Sequence, residues 1–255
     1  MRRVLWAALL ALAFPCTAAF ERSAPSPALI GFGGAGAAHG EAVSSRLNPA
    51  AHEENHWIAL CYNRPFGVDG LRESFVQAGA ALGSKAAARV SWHQFGNALH
   101  VEDTISIAGR IGGENLAAGA RGSYRSRRTQ GFSDAQTYSA DIGAVWRVSP
   151  QIKLGAALQN AGLNAQMRAG ARIEMGRQST FLADAFTDGD DAGIAVGGEW
   201  RAHPNLTLRA GTHNLPWQWA VGFSVRFAGI SFDYALETHP ALNATHYVGI
   251  ALYAP

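Results

Sequence analysis

The run QWAVGFSVRF, residues 218–227, places Trp219, Val221, Phe223, Val225 and Phe227 on one face and Gln218, Ala220, Gly222, Ser224 and Arg226 on the other. A period of two is the mark of a β-strand, because successive side chains point to opposite sides of the pleat. The next run repeats the pattern, with Ile230, Phe232, Tyr234 and Leu236 opposing Ser231, Asp233 and Glu237. Upstream, Ile194, Val196 and Trp200 oppose Ala195, Glu199 and Arg201, and Tyr138, Ile142, Trp146 and Val148 oppose Ser139, Asp141 and Arg147. Each segment is about ten residues long, the length a tilted strand needs to cross a bilayer.

Extended along the chain, the same alternation predicts about fourteen strands, an even number as bacterial single-chain barrels have. They are expected at 57–66, 74–84, 86–97, 100–111, 116–127, 136–148, 152–162, 167–176, 179–187, 192–202, 206–213, 218–227, 229–237 and 246–253. Tight connections such as Lys85, Ser149-Pro150-Gln151 and Ala228 alternate with mostly longer ones such as 67–73, 127–135 and 238–245. Short turns on one side and longer loops on the other fit an outer-membrane barrel. Prolines fall at strand ends or in connections, where no ladder hydrogen bond is lost.

A soluble sandwich alternates in the same way, so the direction of the apolar face needs separate evidence. The polar faces carry charges among small residues, including Arg89, Arg110, Arg121, Arg168, Arg172, Glu174, Glu199, Arg209, Arg226 and Asp233. That mixture suits a crowded, hydrated lumen, and Arg89, Arg110, Arg121, Glu199, Arg209, Arg226 and Asp233 are expected to face it. Trp146, Trp200, Phe227, Trp217 and Trp219 gather at strand ends, as interfacial girdles do. Lys85 and Lys153 are the only lysines, whereas a soluble surface carries many. The expected fold is therefore an all-β, fourteen-stranded antiparallel transmembrane barrel over residues 57–255, surrounded by outer-membrane lipids.

Ahead of the barrel, Met1-Arg2-Arg3, the apolar run Val4 to Phe14 and Thr17-Ala18-Ala19 read as a signal peptide over residues 1–19. Pro15 before Cys16 argues against a lipoprotein, and cleavage near Ala19 leaves Cys61 as the single thiol. Net charge of +2 with 16% charged residues offers no basic field for nucleic acid. Residues 20–56 contain two enzyme-like strings. Gly31-x-Gly33-x-x-Gly36 fits a dinucleotide fingerprint, but Ala28-Leu29-Ile30 is too short for the strand that must precede it. His52-Glu53-Glu54-Asn55-His56 fits the zinc-protease pattern, yet there is little room for its helix between Pro49 and Trp57, and no third ligand follows with recognisable spacing. A segment threaded into a narrow barrel needs small side chains. Residues 20–56 are thus expected to form a plug, with Gly31, Gly33, Gly34, Gly36, Asn48, Pro49 and Ala50 as its key residues. Asn48-Pro49 should turn the chain from the lumen toward the first strand, with the Asn48 amide capping nearby backbone.

Three further constellations have plain alternatives. Ser91, His93 and Asp103 could form a hydrolase triad, but face alternation also explains them. Asp188, Gly189, Asp190 and Asp191 could hold calcium or form a tight turn. Arg125, Arg127 and Arg128 are placed at a loop rim, either solvated or against lipopolysaccharide phosphates. No catalytic residue, metal or cofactor is expected.

GFGGAGAAHGEAVSSRLNPAA, ending in Asn48-Pro49-Ala50, resembles the glycine-rich opening of barrels of the FadL and PorV superfamily. LGAALQNAG (154–162), VGGEWRAHPNLTLRAGTH and GISFDYALETHPALNATHYVGIALY are similar to segments of its PorV-like branch, with Asp233-Tyr234 and Thr245-His246 in place. The resemblance covers most of residues 29–253 and implies a fourteen-stranded barrel with an N-terminal plug. It further implies an interaction, secretion-associated or scaffold barrel with envelope protein partners. The alternative it carries is a FadL-like passive transporter of small hydrophobic solutes. The chain is shorter than typical members, and its brief loops favour the first of these.

Overall fold

The computed structural model describes residues 26–40, 46–51, 56–161 and 163–254. Fourteen strands run in chain order: β1 (Trp57–Asn63), β2 (Arg72–Ala81), β3 (Ala86–Gly96), β4 (His100–Gly112), β5 (Leu116–Thr129), β6 (Ala135–Arg147), β7 (Ile152–Ala161), β8 (Gln166–Met175), β9 (Ser179–Asp188), β10 (Asp191–His203), β11 (Leu206–Asn214), β12 (Trp217–Phe227), β13 (Ile230–Glu237) and β14 (Thr245–Tyr253). Each pairs antiparallel with its neighbours in the chain, and β1 pairs with β14 from Trp57↔Tyr253 to Asn63↔Tyr247, closing the barrel. Closure leaves no edge strand, the condition for placing a sheet in hydrocarbon. The proposed signal segment 1–19 lies outside the described residues, as do 20–25, 41–45 and 52–55 of the expected plug.

The expected strands agree with these spans to within a few residues. β1 departs most: it was expected to reach 66 but stops at Asn63, because Pro65 opens a single 3-10 turn (Pro65–Gly67). There Phe66 takes φ 57° and its N–H donates to Thr245 Oγ1 at 2.9 Å. The loop asymmetry is weaker than expected. At the end where β1 begins and β14 ends, here the terminal end, the connections are short (82–85, 113–115, 148–151, 176–178, 204–205, 228–229). At the opposite end 64–71, 130–134 and 238–244 are longer, but 189–190 and 215–216 are two-residue turns.

The wall is apolar outside and polar inside. Outward Ile107 and Phe227 are 68% and 73% exposed, while inward Arg89, Asp141, Glu199 and Asp233 are buried. This inversion is the state of lowest free energy when the outer surroundings are lipid and the ion pairs sit in an enclosed lumen. Trp146, Trp200 and Phe227 lie exposed near the terminal end, and Trp217 and Trp219 near the opposite one. Two irregularities break the ladder: the β10–β11 register shifts between Arg201 and His203, and the β6–β7 register between Ala140 and Ile142. At the β6–β7 shift Asn160 has φ 55°, and its N–H donates to Asp141 Oδ1 at 2.7 Å, a bulge held by a lumenal carboxylate.

Candidate functional site

The described parts of the N-terminal segment lie inside the lumen. Helix α1 (Pro27–Gly31) opens with Ser26 as N-cap, its Oγ accepting from the Leu29 N–H at 3.2 Å, and with Pro27 in the first turn. It packs against the inner face of β11 to β14. Ala28-Leu29-Ile30, read in the sequence as a strand too short for a nucleotide fold, is thus the centre of a helix. Gly31 ends that helix, and a Cβ on it would stand 3.1 Å from Arg209 Cβ. Gly33 (φ +65°) and Gly34 (φ +78°) then turn the chain in the left-handed region, which glycine enters at no steric cost.

Beyond that turn the backbone N–H groups of Gly36 and Ala37 both donate to Asp184 Oδ2, at 2.8 and 2.9 Å. Arg168 Nη1 donates to the same oxygen at 3.0 Å and to the Gly34 carbonyl at 3.0 Å. Paired backbone N–H groups form an anion cradle, and here the anion is the protein's own carboxylate on β9. The third glycine of the fingerprint therefore serves an internal latch.

The second anchor is Asn48-Pro49-Ala50. Asn48 is fully buried; its Oδ1 accepts from the Ala50 N–H at 3.0 Å, and Nδ2 donates to the carbonyls of Ala37 (2.8 Å) and Ala144 (3.0 Å). One side chain thus caps its own turn, ties two parts of the segment together and reaches β6. The space for this comes from the wall. A Cβ on Gly143 would lie 2.0 Å from Asn48 Oδ1, on Gly119 2.4 Å from the Pro49 backbone, and on Gly155 2.1 Å from the Ala37 carbonyl oxygen. On Gly197 and Gly211 it would lie 2.2 Å from the Phe32 backbone. These five wall glycines, Asp184 and Arg168 hold the segment, and sequence reading did not single out any of them as seats for it. The lumenal segment itself had supplied the expected small residues, yet Gly34 has open space around its missing side chain.

The expected lumenal charges are distributed as follows. Arg209 pairs with Glu199 (Nε to Oε2, 3.0 Å) and bonds Ser224, which in turn bonds Asp233. Arg121 pairs with Asp141 and also donates to the Arg46 carbonyl at 2.8 Å. Arg89 and Arg110 are buried on β3 and β4. Arg226 keeps the inward parity expected of it, but lies one residue from the end of β12, exposed at the rim and stacked over the Tyr253 ring at 4.6 Å. Arg125, expected at a rim, is a correction: it is buried, and its guanidinium bonds the Asn160 side chain. Asp103 lies on the outer face of β4 with Trp92, Gln94 and Arg128, opposite in parity to Ser91 and His93, so the three form no triad. Gly189-Asp190 is a two-residue turn with Gly189 at φ +59°. Of the zinc-protease string only His56 is among the described residues, exposed before β1; His52 to Asn55 lie outside them.

Between the lumenal segment and the wall, toward the end opposite the terminal one, lies a cavity of about 190 Å³. Leu29, Ile30 and Leu47 face Phe186, Ala195 and Leu215 across it, and Arg168 sits over the Phe186 ring at 4.5 Å. On the outside of the same wall a groove of about 930 Å³ follows a row of cross-strand alanines: Ala118↔Ala144, Ala144↔Ala156, Ala156↔Ala169 and Ala169↔Ala185. The row abuts the inward glycines 119, 143 and 155 that receive the segment, so only small side chains separate lumen from bilayer there.

A closed fourteen-stranded barrel with polar lumen, apolar exterior and an N-terminal segment lodged inside is the architecture of outer-membrane channels. Among solved structures the chain is similar to the CymD monoaromatic hydrocarbon channel, with TM-score 0.68 and 15% identity over 89% of this chain and 97% of that one. It is likewise similar to a TodX monoaromatic hydrocarbon channel mutant, with TM-score 0.69 and 11% identity over 92% and 99%. A Pseudomonas aeruginosa FadL homologue matches with TM-score 0.64 and 13% identity over 91% and 96%. No protein-family model and no curated protein matches by sequence. The fold is thus that of FadL-type hydrocarbon channels; the PorV-like branch expected from sequence gains no support from these structures.

Proposed function

We propose that the protein is a passive conduit for small hydrophobic solutes in an outer membrane, with residues 20–56 as its plug and 57–255 as its barrel. The observation that carries this reading is the cavity beside the plug. Its volume of about 190 Å³ is comparable to the ~150 Å³ apolar cavity known to take up benzene; Leu29, Ile30, Leu47, Phe186, Ala195 and Leu215 give it an apolar side for such a guest, and Gln166, Arg168, Asp188, His213 and Glu237 give it a polar one. The likeness to hydrocarbon channels supports the transport alternative over the scaffold role that brief loops had favoured. In this reading the terminal end faces the periplasm, solute enters from the opposite end, and a shift of the plug lets it leave. The small-residue stretch of wall offers an apolar solute a shorter path to the bilayer than the charged lumen beyond the plug.

Uptake of labelled toluene by cells carrying the protein in their outer membrane tests the proposal. Uptake should exceed that of cells lacking the barrel several-fold, and His213→Trp, which fills the cavity from β11, should remove most of the excess. Equal uptake with and without the barrel would refute the conduit.

A further inference from the structure

The half of the lumen lined by β3 to β5 holds a charge arrangement that the conduit reading leaves unused. Along one cross-strand row Arg89 pairs with Ala108, Ala108 with Arg121, and Arg121 with Asp141. Arg89 and Arg121 share the inward face two strands apart, about 10 Å at the usual strand spacing, with only the Ala108 methyl between them. Arg46 of the plug lies against the same place: its carbonyl accepts from Arg121, and its guanidinium stands over the Phe75 ring at 5.1 Å. Arg121, Arg125 and Arg89 all act on Arg46 as like charges. Two carboxylates stand among them and offset part of this charge, Asp141 acting on Arg89 and Glu73 on Arg46, but each has hydrogen-bond partners of its own. Asp141 holds Arg121 and the Asn160 N–H, and Glu73 holds His93 at 2.8 Å and Asn63 at 3.0 Å.

Arg89 is 6% exposed, and both of its terminal nitrogens lack a hydrogen-bond partner among the described residues. A buried guanidinium with two open donors beside three more arginines is an arrangement that a bound anion completes. The planar fork of each guanidinium matches a group with at least two terminal oxygens. We propose that Arg89, Arg121 and Arg46 form an oxyanion site in the lumen, whose occupant bridges the barrel wall to the plug and holds the plug in place. The recognised chemistry is a carboxylate or phosphate; it can come from a free inorganic ion or from an acidic group on a solute.

The test is limited proteolysis of the plug in the purified full-length barrel, at constant ionic strength, in sodium phosphate, sodium benzoate or sodium chloride. With phosphate or benzoate at about ten times its Kd, cleavage through plug opening should slow about tenfold relative to chloride. Protection by phosphate identifies a free ion as sufficient, and protection by benzoate alone identifies an acidic solute. Arg89→Met should abolish the protection. Arg46→Met, which lies outside every strand and leaves the barrel's own residues unchanged, should do the same if the strand variant fails to assemble. Equal cleavage in all three salts would overturn the site, and so would protection that persists in both variants, which marks an adventitious ion only. Solute uptake does not enter this readout, so failure of the conduit would leave the result interpretable.

Discussion

The two halves of the lumen are built on opposite plans. From β5 to β11 the inner wall presents Gly119, Gly143, Gly155, Gly197 and Gly211, and plug atoms lie where their side chains would be, backbone at four of them and the Asn48 side chain at Gly143. From β2 to β5 it presents Glu73, Gln77, Arg89, His93, Arg121 and Arg125, long side chains that fill the space themselves. The first half seats the plug by shape and by the Asp184–Arg168 latch, whereas the second meets it with a crowd of arginines and a hydrogen bond from Arg121 to the Arg46 carbonyl. The position of the plug is therefore encoded more in the wall than in the plug.

The largest effect should come from the outer face, which both halves share. Phe223 on β12 packs on Phe232 and Tyr234 in the lipid-facing layer, so Phe223→Arg should lower barrel stability by about 2–4 kcal/mol. Urea unfolding in lipid vesicles checks this, and a cost no larger than that of Arg in the 238–244 loop would break the inside-out assignment. Next in size, Gly143→Ala or Gly211→Ala should destabilise plug docking by about 1–3 kcal/mol through overpacking, with the unheated gel mobility of the barrel preserved. An alanine at Gly122, which faces outward with open space, should do neither, and this contrast sharpens the comparison. Asp184→Asn removes the charge from three hydrogen bonds, two of them to plug backbone, and should speed hydrogen exchange at Gly36 and Ala37 in proportion to about 1.5–3 kcal/mol. Smallest of all, Arg226→Ala at the exposed rim should change stability by less than about 0.5 kcal/mol.

Strands, their facing and the closed barrel were legible because each depends on a period of two within ten residues, as in 218–227. A signal for helix α1 was present too, in Ser26-Pro27, but three apolar residues after Pro25 and Pro27 read more readily as extended chain. The seat of the plug was not. Gly143, Gly155, Gly197 and Gly211 stand on four strands and look alike with Gly122 or Gly198 in any local window. Only closure and register reveal which glycines face the plug. Asp184 reads as one more lumenal carboxylate until the Gly36 and Ala37 amides are brought to it. Arg226 shows a related limit: parity gives its inward face but says nothing of depth, and the strand ends one residue later.

Asn48 joins the two parts of the plug to β6, and replacing Asn48-Pro49 with Ala-Ala leaves its partner carbonyls without their donor at a cost of about 1–3 kcal/mol for each buried group. Toluene uptake by cells carrying this double variant, compared with the parent at equal amounts of heat-modifiable barrel, tests the plugged conduit most directly. The account predicts uptake above that of the parent, with the plug more open to protease and the barrel still folded. Uptake in both forms no higher than in cells lacking the barrel would contradict it.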